Sequence, residues 1–253
     1  MLRPVKKEYG QHFLVDENIL GVIGRLAELQ PDDVVLEIGP GEGVLTRYLA
    51  AHVAQVHAVE IHESLAPRLA GLGDNVDLRF GDAFQLDLRT DATKLVANLP
   101  YNVATPLLVE SLDGLPDIEL WCVMVQREVA DRLFAQPRTK AYGAVSVLVQ
   151  LSCDRTRFHP VSRTVFRPPP NVDSALVAFR RRGALPDDYP RLKRVVTAAF
   201  AHRRKTLPNS LELSSVASRA HASAALERIG RTTTTRAEAL APAEFVALAE
   251  ALA

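Results

Sequence analysis

The sequence predicts an α/β fold built on a mostly parallel sheet, followed by a small all-helical region. Three observations predict it. Short apolar runs alternate with helix-like segments from residue 34 to about residue 134, the first run ends in a cluster of glycines, and strand-like runs stop after about residue 186. A regular alternation of strands and helices buries both faces of a parallel sheet under helices, whereas a purely helical tail folds as a separate bundle.

The elements follow in order. Val34–Ile38 is apolar except for Glu37, as suits a strand covered on both faces. Residues 44–51 read as a helix, Val56–Ile61 as a second strand and residues 63–70 as a second helix. Val76–Phe80 and Leu95–Ala97 are the third and fourth strands, residues 105–112 a helix, Leu120–Val125 the fifth strand and residues 127–134 a helix. Residues 144–152 and 174–180 are two further β-rich runs. The stiff Arg167-Pro168-Pro169-Pro170 segment between them suggests a hairpin-like return rather than a crossover. Residues 191–201, 222–229 and 242–251 look helical, with Thr232–Thr235 as a polar linker. The expected division is a domain over residues 1–185 and a helical domain over 186–253.

Composition excludes several classes. With 47% hydrophobic and 24% charged residues, the chain is neither disordered nor fibrous. No apolar run approaches the roughly 18 residues of a membrane helix. Met1–Lys7 carries charge without an apolar segment behind it, unlike a signal peptide. Cys122 and Cys153 each sit in an apolar strand-like run, with no second Cys or His at ligand spacing. They are expected to be buried free thiols in a cytoplasmic protein without a metal. The net charge is zero, but its distribution is uneven. Asp173 is the one acid among seven arginines between Arg155 and Arg182, and no acid lies between Arg191 and Lys205. A neutral chain of this kind can still present a basic face to phosphates.

The glycine cluster is Gly39-Pro40-Gly41-Glu42-Gly43, at a strand-to-helix turn where a bare backbone can approach a ligand closely. A dinucleotide fingerprint would need glycine where Val44 stands, and no phosphate-loop pattern with Gly-Lys-Ser/Thr occurs. A G-x-G-x-G turn preceded by Glu37 instead resembles the S-adenosylmethionine loop of class I methyltransferases, with Gly39 and Gly41 against the cofactor. Glu60 ends the second strand, where a carboxylate can accept both ribose hydroxyls. Asp82 follows the third, placed to accept from an adenine amino group.

The fourth strand runs into Asn98-Leu99-Pro100-Tyr101. This tetrapeptide resembles the mark of methyltransferases that act on exocyclic amines of bases. The adenine N6 lone pair is delocalised into the ring, so the amine is a poor nucleophile. Two acceptors around its N–H groups favour a pyramidal nitrogen, and Asn98 Oδ1 and the Pro100 carbonyl are expected to supply them. Tyr101 offers a ring face for an extruded base. Transfer from a sulfonium needs alignment and desolvation, and water suffices to take the departing proton. No general base is therefore assigned.

Six ordered motifs spread over about 200 residues resemble one family, the small-subunit rRNA adenine N6,N6-dimethyltransferases of the KsgA type. They are Gly10–Leu14, Glu37–Gly43, Asn98–Asn102, Gln126–Ala130, Phe166–Ser174 and Phe200–Leu207. The resemblance implies a Rossmann-like class I methyltransferase with a seven-stranded sheet and a small helical C-terminal domain. It also implies a monomer whose substrate is 16S rRNA in an immature small subunit, with a part in ribosome biogenesis. His12 and Leu14 would contact the cofactor together with Asn98, although many members carry Asn at the His12 position. Phe166 would stack on the target adenine opposite Tyr101, and Arg203, Arg204 and Lys205 would contact RNA phosphates. The expected reaction is dimethylation of two adjacent adenines in a 3′-terminal hairpin. The competing readings are a large-subunit adenine methyltransferase conferring macrolide resistance and a non-catalytic assembly factor.

Overall fold

The structure is a computed structural model that describes residues 12–253. Gly10 and Gln11 of the first motif, and the charged N-terminus, lie outside the described residues. The chain divides into two compact units: one runs through Ala130 and resumes over Arg155–Arg181, and the other comprises Asp131–Asp154 and Arg182–Ala253.

The first unit contains β1 (Phe13–Leu14), α1 (Glu17–Leu26), β2 (Val34–Ile38), α2 (Val44–Ala50), β3 (Gln55–Glu60), α3 (Ala66–Leu69), β4 (Val76–Phe80), β5 (Lys94–Asn98), α4 (Ala104–Gly114) and β6 (Leu120–Gln126). The chain continues into α5 (Arg127–Leu133) and α6 (Ala144–Ser152), then re-enters the sheet with β7 (Cys153–Val161), β8 (Phe166–Arg167) and β9 (Ser174–Arg181). Seven strands form the main sheet in the order β4-β3-β2-β5-β6-β9-β7, while β1 and β8 pair separately. From β4 to β6 every pairing is parallel, and β9 runs antiparallel to β6. The order reverses between β2 and β5, which puts a crevice at the carboxyl ends of those strands.

Strand residues alternate between two covered faces. On one face Val35, Val56, Val96, Cys122 and Met124 pack with Ile19, Leu20 and Ile23 of α1 and Leu45 and Leu49 of α2. On the other, Trp121 is fully buried and its indole N–H donates to Ser111 Oγ of α4 at 2.9 Å. Asp16 caps α1 by accepting from the Asn18 N–H at 2.8 Å. Both cysteines are buried free thiols. No described helix is long and apolar enough to cross a membrane.

The second unit holds α6, α7 (Tyr189–Ala201), α8 (Leu207–Leu213), α9 (Arg219–Arg228) and α10 (Pro242–Ala251). Its interior includes Tyr142, whose phenol donates to the Leu240 carbonyl at 2.9 Å, and Phe200, which contacts the rings of Tyr142 and Phe245. Two expectations are corrected here. Residues 144–152 form a helix rather than a β-rich run. Val145, Ser146, Val147, Leu148 and Val149 are all buried, so no polar face reveals the helical period. The helical unit is also not confined to residues 186–253. It recruits residues 131–154, so the chain passes into it and back before the last two sheet strands are laid down.

Candidate active site

At the carboxyl ends of the central strands the first unit encloses a cavity of about 300 Å3, at the small end of the range for ligand pockets. His12, Leu14, Gly39, Gly41, Glu60, Asp82, Asn98, Pro100 and Tyr101 all line it. Residues spread over 90 positions of sequence thus meet around one space: those from Gly39 to Tyr101 each end or follow a main-sheet strand, and His12 and Leu14 come from the short β1 segment.

The glycine turn shapes the floor. Gly41 has φ of 60°, and a Cβ there would lie 3.1 Å from the Phe13 ring. Gly43 has φ of 77° and starts α2, where a Cβ would come within 2.8 Å of Leu72. Both positions therefore need glycine for conformation and for space. The Gly41 N–H donates to Glu60 Oε2 at 3.0 Å, and the His62 N–H donates to Glu60 Oε1 at 3.0 Å. Two backbone donors thus hold the carboxylate across the turn without neutralising it. Asp82 is held similarly by the Phe84 N–H at 2.9 Å and by the Gln85 amide.

Glu37 lines the same cavity but is fully buried, and its Oε2 has no hydrogen-bond partner among the described residues. Burial pushes its carboxyl up to about 8; the Thr46 hydroxyl pulls weakly the other way, and the Glu60 carboxylate adds to the rise. Thr46 Oγ1 lies close enough to act on the carboxyl but makes no hydrogen bond of good geometry among the described residues, so desolvation decides the outcome. An orphaned acid in a ligand-sized cavity suits a ligand that brings its own positive charge.

At the end of β5, the Asn98 amide nitrogen donates to the His12 carbonyl at 3.2 Å, which fixes the plane of the side chain and leaves Oδ1 available. The His12 ring bonds through Nδ1 to the Pro168 carbonyl at 2.7 Å and lies 5.4 Å from the Tyr101 ring. The part of His12 that touches Asn98 is therefore its backbone, which any residue supplies.

The structure corrects two expected roles. The Pro100 carbonyl already accepts the Val103 and Ala104 N–H groups at 3.1 and 3.0 Å, where it starts α4. Both lone pairs are used, so it is not free for a substrate. No backbone N–H among the described residues is donated to the neighbouring Leu99 carbonyl, and Leu99 lines the cavity. Phe166 is 1% exposed and packs in the core cluster with Leu14 and Ile19. A ring closed in that way has no face for a base; in β8 it secures β1, pairing with Leu14.

Two apolar residues were missed in the sequence. Ile61 and Phe84 line the cavity yet are 58% and 46% exposed, Ile61 directly after Glu60 at the end of β3 and Phe84 two residues after Asp82, beyond β4. Large apolar side chains left open beside Glu60 and Asp82 suit a planar base between them. Their position next to those acids was the available signal.

In the second unit, the segment after α7 carries the expected basic residues. The Arg203 guanidinium is engaged by the Lys140 and Tyr142 carbonyls at 3.0 and 3.2 Å. Arg204 and Lys205 are exposed, and no side-chain hydrogen bond or ion pair within the described residues occupies them.

Residues 3–253 match the family of ribosomal RNA adenine dimethylases. The chain is 45% identical over 249 residues to ribosomal RNA small subunit methyltransferase A of Rubrobacter xylanophilus, covering 96% of this chain and 93% of that protein. It is 46% identical to the protein of the same name from Thermobifida fusca, covering 98% and 90% of the two. Among solved structures, a dimethyladenosine transferase from Plasmodium falciparum superposes with a TM-score of 0.76 at 24% identity, over 94% of this chain and 96% of that one. The 23S rRNA methyltransferase ErmE superposes at 0.63 with 30% identity, over 95% and 99%. The fold is thus shared with a 23S rRNA methyltransferase, and the higher sequence identity lies with the small-subunit methyltransferases.

Proposed function

The chain belongs to the ribosomal RNA adenine dimethylase family, and from that premise we propose that it methylates the N6 of two adjacent adenines in a 3′-terminal hairpin of small-subunit rRNA, twice each. S-adenosylmethionine supplies an electrophilic methyl on a sulfonium and is the proposed donor. What fits this cofactor is the donor set itself. Glu60 is available to ribose hydroxyls, Asp82 to an adenine amine and orphaned Glu37 to the cationic end, with Ile61 and Phe84 open beside the two strand-end acids.

The observation that carries the reading is the end of β5. Asn98 and Leu99 both line the cavity, and the tether from the Asn98 amide to the His12 carbonyl orients the Asn98 side chain and leaves its Oδ1 as an acceptor. Two acceptors in those places hold both N–H groups of an adenine amine and favour a lone pair directed at the methyl. The nitrogen forms its bond to the methyl carbon as the carbon–sulfur bond breaks, sulfur keeps that electron pair, and one N6 proton passes to water. Tyr101 stacks on the base. In the second unit, Arg204 and Lys205 are assigned to phosphate contacts, and Arg203 to holding the segment that carries them.

The test is transfer of labelled methyl to unmodified small ribosomal subunits, with large-subunit RNA in parallel and mass analysis of the nucleosides. N6,N6-dimethyladenine in small-subunit rRNA alone is the expected result. Label in large-subunit RNA would instead make this a relative of the resistance enzymes. Binding without label would make it an assembly factor.

A further inference from the structure

We infer that Ser174 is a positioning residue for the target base, acting through Tyr101, and that its hydroxyl sets how completely the second methyl is transferred. The inference rests on the function proposed above. It starts from one contact: the Tyr101 phenol and the Ser174 hydroxyl share a hydrogen bond of 2.5 Å between residues 73 apart in sequence.

The two partners differ in their freedom. Tyr101 lies in the turn after β5 and lines the cavity, half-buried, with its ring available to a base. Ser174 is fully buried at the start of β9, in register with Gln126 of β6. The residue before it is tied down twice: the Asp173 carbonyl accepts the Arg127 N–H at 3.0 Å, and Asp173 Oδ1 accepts the Arg163 N–H at 3.1 Å. The hydroxyl is thus a fixed point of the sheet, and the phenol is moored to it. A bond at the phenol oxygen holds the far end of the ring against swinging about the first side-chain bond, so the ring's place in the cavity depends on it. Burial pushes the phenol's pKa up, the Ser174 bond works against that and the Asp173 carboxylate adds to the rise, so the phenol keeps its proton near neutral pH.

The two methyl transfers make unequal use of this mooring. In the first, adenine presents two N–H groups, one for Asn98 Oδ1 and one for the Leu99 carbonyl. In the second, a methyl has replaced one of them, and a single hydrogen bond holds the amine. Stacking on Tyr101 then carries a larger share of the orientation, and small misplacements of reacting groups are expensive in rate. A loose ring therefore penalises the second transfer more than the first.

The experiment compares Ser174→Ala and Tyr101→Phe with the unmodified enzyme on small ribosomal subunits, counting N6-monomethyl and N6,N6-dimethyl adenosine through the time course. Each variant removes one side of the same bond. Both are expected to raise the monomethyl-to-dimethyl ratio roughly tenfold, through kcat rather than the KM for subunits, with cofactor affinity unchanged. The double variant is expected to be no worse than either single one, and Ser174→Thr, which keeps the oxygen, to restore the ratio. Thermal stability is recorded alongside. A lower Tm with an unchanged ratio in both single variants would reduce Ser174 to a structural residue and overturn the inference. If Ser174→Ala fails to fold, Tyr101→Phe decides alone, since it retains the ring and all its packing. Failure of the unmodified enzyme to form dimethyladenine would instead remove the proposed function, which the same time course shows separately.

Discussion

The two ends of the main sheet treat charge in opposite ways. At the amino end, charged groups are paired. Lys94 and Asp33 are mostly buried, and the Lys94 ammonium donates to Asp33 Oδ2 and to the Glu28 carbonyl, both at 2.6 Å. His57 places its two ring nitrogens against Asp77 and Asp91 at 3.2 and 2.9 Å. At the carboxyl end, among the described residues, Glu37 has an oxygen with no partner, and Glu60 and Asp82 accept from uncharged donors. One end is complete as a folded protein. The other pairs Glu42 of the glycine turn with Arg68 but leaves Glu37, Glu60 and Asp82 without a cation among the described residues, and apolar side chains exposed, a state that favours binding over stability.

That contrast is broken most forcefully at Lys94. Lys94→Ala leaves the buried Asp33 carboxylate without its cation, and loss of one partner of a buried pair costs about 3 kcal/mol or more. Chemical denaturation is expected to show that loss, while kcat for methyl transfer at a permissive temperature stays at the unmodified level. A matching loss of kcat would mean that the two ends are not independent.

Glu37→Gln acts in the opposite sense. Burial pushes the Glu37 carboxyl up to about 8 in the folded chain, from an ordinary value of 4.5. Between those values the unfolded chain has released a proton that the folded chain retains, so the folded state is disfavoured increasingly as pH rises, and the effect levels off above about 8. The variant carries no such penalty. In protein free of cofactor, the stability of Glu37→Gln relative to the unmodified chain is expected to grow by roughly 3 kcal/mol from pH 4.5 to pH 7. A difference that does not change with pH would show that Glu37 ionises freely. The same variant should bind the cofactor more weakly, which separates function from stability at one residue.

Asn98→Ala sharpens the comparison where chemistry replaces binding. In the proposed reaction Asn98 supplies one acceptor to the amine, and its side chain is oriented by the His12 carbonyl. Its loss is expected to cut kcat about 100-fold, as for other preorganised hydrogen-bonding groups, with cofactor affinity by calorimetry little changed. A large loss of cofactor affinity with kcat preserved would move Asn98 from the reacting amine to the cofactor.

Much of this was legible in sequence, for a physical reason. Strands covered on both faces appear as apolar runs, so β2 to β6 were placed within about two residues, and ligands gather where such strands end. Hence Glu60, Asp82 and Asn98 could be assigned from position. The misses have causes too. Helix α6 is buried all round and rich in valine, which imitates a strand, and α8 is a seven-residue helix with Pro208 in its first turn. The choice between the Pro100 and Leu99 carbonyls depends on which of them the first turn of α4 uses, and Phe166 on which way an aromatic beside a proline run faces. Neither is encoded in residue type alone.

The smallest expected effect repeats the contrast between paired and open charge on adjacent residues of the second unit. Arg203 spends its guanidinium on the Lys140 and Tyr142 carbonyls, whereas Arg204 is exposed and uncommitted among the described residues. If open charge marks ligand contact, Arg204→Glu should weaken binding to small-subunit RNA severalfold at moderate salt. It should also lower the slope of log affinity against log salt by about 1, one phosphate contact fewer. Unfolding midpoints should stay put, because the side chain supports nothing in the fold. Arg203→Glu should do the reverse, lowering the midpoint by removing its two bonds to backbone carbonyls while leaving the salt slope nearly intact. Equal slopes in Arg204→Glu and the unmodified enzyme would take this segment out of the RNA interface. The distinction between paired and open charge would then hold for the sheet and fail for the helices.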